Sequence, residues 1–153
     1  MTLTTGEATL GRCDLEALIP STLFSRLVGR VARDADVDRR LAERIVRQAL
    51  VFLLACARNP DIPLAPSRMV DKGWHAFILH TREYADFCQA VAGRFIHHAP
   101  DDEPDVDPID TEARTEMTVD VMRRTGLPVD EDLWSGHQAA CSSQCQGCCS
   151  GHP

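Results

Sequence analysis

The sequence predicts an all-α fold of four to five helices in a compact, bundle-like domain, followed by an irregular cysteine-rich tail. Three observations carry this. Apolar residues recur at the 3.6-residue period of a helix in one segment after another. No stretch longer than four residues alternates cleanly with the period of a strand. Helix-ending signals at Asn59-Pro60, Gly93 and Thr125-Gly126-Leu127-Pro128 cut the periodic segments to ordinary helix lengths.

The elements follow in order. Residues 1–13 show no period and read as a loosely ordered N-terminus. Residues 14–134 form the helical domain. Its pattern starts near Asp14-Leu15 and is reset at Pro20. Ser21 is then an N-cap candidate for a helix to about Arg33, with Leu23, Leu27, Val28 and Val31 on one face. Asp36 or Asp38 can cap the next helix, which runs to about Arg58. Leu41, Ile45, Gln48/Ala49, Phe52 and Cys56 form its stripe. Leu50, Val51, Leu53 and Leu54 widen the stripe until the second half is apolar nearly all round, the mark of a central helix. Pro66 or Ser67 starts a third helix carrying Met69, Val70, Trp74, Phe77 and Ile78. Thr81 caps a fourth, or the two are continuous. The stretch 100–110, with three prolines and six acidic residues, reads as a solvated linker or loop. A last helix spans Thr111 to Arg124, with Met117, Val121 and Met122 inward. Leu133 and Trp134 dock on the domain from a short turn. Residues 135–153 are too rich in Ser, Gly, Cys, His and Gln to build a core.

Composition narrows the function. The chain has 153 residues, 44% of them hydrophobic, which suits one globular domain. The longest apolar run, Ala49 to Ala57, is too short to span a bilayer. The N-terminus lacks the basic and apolar regions of a secretory signal, so a cytoplasmic setting is expected. The net charge of −7 is uneven: residues 1–98 carry 13 basic and 11 acidic side chains, and residues 99–153 carry 3 and 12. An acidic half of this kind argues against a nucleic-acid partner. No membrane partner is expected either.

The central motif runs Val70-Asp71-Lys72-Gly73-Trp74-His75-Ala76-Phe77-Ile78-Leu79, then Tyr84, Cys88 and Gly93-Arg94-Phe95-Ile96-His97-His98. Asp71 and His75, four apart, share a helix face and can touch. A carboxylate beside an imidazole fixes its tautomer and favours the cation. His98, folding back after the hairpin, would complete with Asp71, His75 and Cys88 an N/O/S set able to hold a metal. The alternative is structural: Asp71–His75 is a hydrogen-bonded pair that locks the helix against the His98 loop, and Trp74 and Tyr84 are core aromatics. His80, off that face, reads as an exposed or capping residue.

These positions resemble the glycine-rich domain-containing protein family, whose helical domain carries V-D-x-x-W-H-x-H-x-L, then a Tyr, a Cys and a G-x-F-I-x-H ending. The matching residues are Val70, Asp71, Trp74, His75, Leu79, Tyr84, Gly93, Phe95, Ile96 and His98, within about residues 20–100. Phe77 stands where the family has its second histidine, and no glycine-rich region is present. The resemblance implies a helical fold and an intracellular setting rather than an activity.

The tail holds Cys141, Cys145, Cys148 and Cys149, with His152 beyond them. Thiolates at C-x3-C-x2-C spacing can wrap one soft ion, because the intervening loops are just long enough to turn back. Four cysteines, or three with His152, complete a tetrahedral Zn²⁺ site. Cu(I) and iron–sulfur ligation suit the same softness. The leading expectation is therefore an accessory or binding protein with a thiolate metal-binding tail, its partners a metal ion and a protein. Two alternatives stand beside it. One is a ribosomal peptide precursor, with the Ser/Cys-rich end as the modified core. The other is an enzyme using a His/Asp metal site around His75 and His98.

Overall fold

The computed structural model describes residues 15, 17–98 and 108–135. All regular structure among them is helical: α1 (Ser21–Asp34), α2 (Arg39–Arg58), α3 (Arg68–Ile78), α4 (Thr81–Ala92), α5 (Pro108–Arg124) and α6 (Glu131–Trp134). The all-α reading holds, with six helices among the described residues in place of four to five. Two differences account for the count. α3 and α4 are separate helices, broken at Leu79-His80, and the Asp130–Trp134 turn closes into a short helix. The N-terminal stretch 1–13, the larger part of the acidic segment, and the tail lie outside the described residues.

Side chains cap the starts of α2 and α3. The Asp38 side chain accepts from the Leu41 amide at 2.8 Å and caps α2. The other candidate, Asp36, sits in the preceding turn with φ 52°. Ser67 caps α3, accepting from the Val70 amide at 3.2 Å. Ser21 and Thr81 do not cap; each is the first helical residue, behind Pro20 and His80. α5 begins inside the stretch read as linker, at Pro108. Proline costs nothing at a first helical position, where its missing N–H would have had no intrahelical acceptor. Gly93 ends α4 in the left-handed conformation, φ 64°, which glycine adopts without a Cβ penalty.

α2 is the axle. It packs against α1, α3, α4 and α5, and residues 45–55 are buried apart from Arg47. The crossing with α3 is the tightest point. A Cβ on Gly73 would lie 2.9 Å from the Ala49 Cβ and 3.0 Å from the Ile45 carbonyl oxygen. That approach lets Trp74 reach Phe52, ring centres 5.2 Å apart, and Trp134 also meets Phe52, at 6.2 Å. On α5, Thr118, Val119, Val121 and Met122 are buried, and Met117, expected inward, is only half-buried. No helix among the described residues is long and apolar enough to cross a membrane.

The crossing predicts opposite outcomes for two helical glycines. Gly73→Ala forces backbone and Ala49 apart and is expected to cost about 1–3 kcal/mol. On α1, a Cβ at Gly29 would meet only the end of the Arg33 side chain, at 3.9 Å. Gly29→Ala is therefore expected to stabilise by roughly 0.5–1 kcal/mol. Urea unfolding of the two variants checks both signs.

Candidate functional site

The motif residues meet where α3, α4 and the 93–98 segment converge. Trp74 and Tyr84 face each other across the α3–α4 hairpin. The Trp74 indole Nε1–H donates to the Tyr84 hydroxyl at 2.8 Å, and that hydroxyl donates to the Ile96 carbonyl at 2.6 Å. The relay ties α3, α4 and the returning segment together inside the core, where an unpaired polar group is costly. Burial holds the Tyr84 phenol above its ordinary pKa, only partly opposed by the Trp74 hydrogen bond, so it stays a neutral donor. Its ring packs against Phe77 and Phe95.

Asp71 pairs with His98 rather than with His75. The His98 Nε2 lies 2.7 Å from Asp71 Oδ1. The His98 side chain is only 14% exposed and its ring stands edge-on to Trp74 at 4.5 Å. The i,i+4 spacing permitted an Asp71–His75 contact, but the carboxylate bonds His98, whose ring rests against Trp74. His75 stays on the exposed side of α3, its ring centre 6.2 Å from that of His98. It opens on a groove of about 260 Å³ lined by Asp34, Asp71, Lys72 and Ala76 among others, with His98 not among the lining residues. Cys88 is wholly buried, close enough to the Tyr84 hydroxyl to shift it. The expected Asp71/His75/Cys88/His98 metal set is thus not assembled. Among the described residues no three His, Cys, Asp or Glu side chains are grouped to hold a metal ion. His80 is half-buried at the N-cap of α4, and its Nδ1 lies 3.0 Å from the Arg26 guanidinium.

A second polar centre fastens the C-terminal segment to α2. Arg44 grips Asp130 with two bonds, 2.7 and 2.6 Å, and reaches Asp132 at 2.7 Å. Those hydrogen bonds raise its pKa further above the ordinary arginine value. One turn on, Gln48 is buried and both polar atoms of its amide are hydrogen-bonded. Its amide nitrogen donates to the Pro128 carbonyl, and its oxygen accepts from the Asp130 amide and from Trp134 Nε1 at 2.6 Å. A space of about 460 Å³ remains between Leu15, Arg44, Arg47 and the 128–132 segment. Ser67 donates to the Leu133 carbonyl, and Thr118 accepts from the Ala65 amide. None of these contacts follows from the motif. The signal for one of them was a glutamine on the apolar stripe of α2, an amide that burial obliges to find partners.

The tail residues Cys141, Cys145, Cys148, Cys149 and His152 lie outside the described residues. A family model described as UCP032817-like matches residues 16–107. No curated protein and no solved structure matches the chain.

Two outcomes follow. Tyr84→Phe strands the Trp74 N–H and the Ile96 carbonyl, so it is expected to cost about 1–3 kcal/mol, read as a lower urea midpoint with helical circular dichroism retained. The second concerns alkali. Burial pushes the Cys56 thiol up to about 12, against the pull of Arg94. An unfolded thiol ionises near 8.5, so the folded state holds the extra proton between those values. The stabilisation is present below about pH 8.5 and is lost as pH rises toward 12. Urea midpoints are expected to fall from about pH 8 to 10.5, and less steeply in Cys56→Ala; a flat wild-type profile contradicts this.

Proposed function

The chain belongs to the UCP032817-like family, and from that premise we propose that the helical domain is a scaffold for a metal-binding C-terminal tail. The protein is an accessory or binding protein rather than an enzyme, acting in the cytoplasm. One observation supports this reading most. All but one of the chemistry-bearing side chains of the motif, the exposed His75, are engaged within the fold: Trp74 with Tyr84, Tyr84 with Ile96, and Asp71 with His98. Acid–base catalysis needs convergent polar groups turned toward a substrate cavity. Trp74, Tyr84 and His98 are turned into the fold. The thiolates of Cys141, Cys145, Cys148 and Cys149 then form the densest ligand set in the sequence, and they follow directly on a segment anchored by Gln48 and Arg44.

Short spacing and soft donors suit Zn²⁺, Cu(I) or an iron–sulfur cluster. The resemblance to glycine-rich domain-containing proteins belongs to the same reading, as a helical frame whose motif residues hold it together.

The test is metal content of the full chain purified without oxygen, beside a full chain carrying Cys141→Ser, Cys145→Ser, Cys148→Ser and Cys149→Ser. Metal bound by the first and lost by the second is the expected result. Visible colour identifies an iron–sulfur cluster, and colourless protein with zinc a closed thiolate site. Equal metal in both chains, or none in either, overturns the reading. In the latter case, an intact mass from the native host lowered by multiples of a water mass would establish the tail as the modified core of a peptide precursor.

A further inference from the structure

We propose that Arg26, His80 and Glu83 form an acid-responsive partner exchange at the junction of α1 and α4. With His80 neutral, Arg26 bridges His80 and Glu83; with His80 protonated, Arg26 is expelled and Glu83 passes to the imidazolium. The first observation is the direction of one hydrogen bond. Arg26 Nη2 lies 3.0 Å from His80 Nδ1, and Arg26 Nη1 donates to Glu83 Oε1 at 3.4 Å. A guanidinium carries N–H donors and no acceptor. Nδ1 must therefore accept, which puts the ring proton of the neutral imidazole on Nε2. The contact exists only in that one state of the ring. A second proton, taken from solvent at Nδ1, removes the acceptor and sets two cations against each other.

The second observation is the setting of the ring. His80 is the N-cap residue of α4, a helix of 12 residues, and its side chain makes no cap hydrogen bond. The partial positive charge of a helix N-terminus disfavours a cation there. One group pulls the other way. Glu83, in the first turn of α4, has its carboxyl held below the ordinary carboxylate value, by a backbone hydrogen bond first and then by Arg26 and His80. It is ionised across the range in which histidines titrate. Among the described residues, Arg26 from α1 and Glu83 from α4 are the charged side chains that act on His80.

The third observation is what depends on the bridge. Among the described residues, every hydrogen bond and ion pair between α1 and the start of α4 runs through Arg26. Apolar contacts hold α1 elsewhere, through Leu23, Leu27, Val28 and Val31. The Arg26 and Glu83 side chains are 58% and 41% exposed, so the exchange requires no opening of the core. Acidification thus unfastens one corner of the molecule and leaves the rest closed. The Asp71–His98 pair behaves differently. A carboxylate accepts from neutral and protonated imidazole alike, so that contact survives the same change.

The test is heteronuclear NMR of the histidine ring nitrogens in the full chain, with the His80 signals assigned by their loss in His80→Gln. At about pH 8, where histidines are neutral, the wild type is expected to show the ring proton on Nε2 and a bare Nδ1, a reading that needs no variant. Arg26→Ala removes the cation that opposes protonation. It is expected to raise the His80 titration midpoint by about half a pH unit or more, the scale of one unit charge at contact distance in water. Glu83→Gln removes the carboxylate that receives the imidazolium and is expected to lower the midpoint. Helical circular dichroism checks that both variants keep the fold. A wild-type ring with its proton on Nδ1, or midpoints that do not move in these opposite directions, overturns the exchange.

Discussion

The close approach of α2 and α3 at Gly73 governs the rest of the molecule. Two helices usually stand 8–10 Å apart, the distance set by the side chains between them. Here hydrogen faces Ala49 and the Ile45 carbonyl, and the helices close up. Trp74 thereby reaches Phe52 on α2 while its indole N–H finds Tyr84 on α4. Tyr84 in turn fixes Ile96, and His98 follows two residues later against Trp74 and Asp71. A larger residue at position 73 would move the first member of this series and so all of them.

The second organising demand is polar. α2 buries an amide, Gln48, in the middle of an apolar face. An unpartnered amide there would cost more than a good apolar contact returns. Its partners come from Pro128, Asp130 and Trp134, beyond the residues the family model covers. Leu127, Leu133 and Trp134 join the same core as Phe52 and Met122. The C-terminal helices are therefore part of the folded unit, although the family match stops at residue 107.

Much of this was legible in the sequence, and the limits have physical reasons. The central placement of α2 followed from apolar residues nearly all round its second half. The stop at Gly93 and the helix start at Ser67 are local effects, visible in a few residues, and Asp38 was one of two caps the sequence offered for α2. The Asp71 partner was not. Spacing says which side chains can touch, and His75 qualified. The winner was decided by where a segment 27 residues away comes to rest, against the edge of Trp74. The Arg44–Asp130 and Gln48–Trp134 bonds were out of reach for the same reason, since nothing in either local sequence names the other. The α5 start was missed because three prolines and six acids read as linker, whereas one proline opens a helix.

The Gln48–Trp134 bond also dictates the order in which the chain matures during synthesis. The two residues are 86 apart. At about 5–20 residues per second, Gln48 leaves the peptidyl transferase centre roughly 4–17 s before its partner is made. Within that interval α2 can gather α1, and then α3 and α4 as each is made, but its amide stays hydrated and Phe52 lacks one aromatic neighbour. The core therefore remains open along one flank until the last described helix emerges. A nascent chain stalled or cleaved before residue 134 keeps that apolar flank uncovered, the surface that chaperones retain and proteases cut.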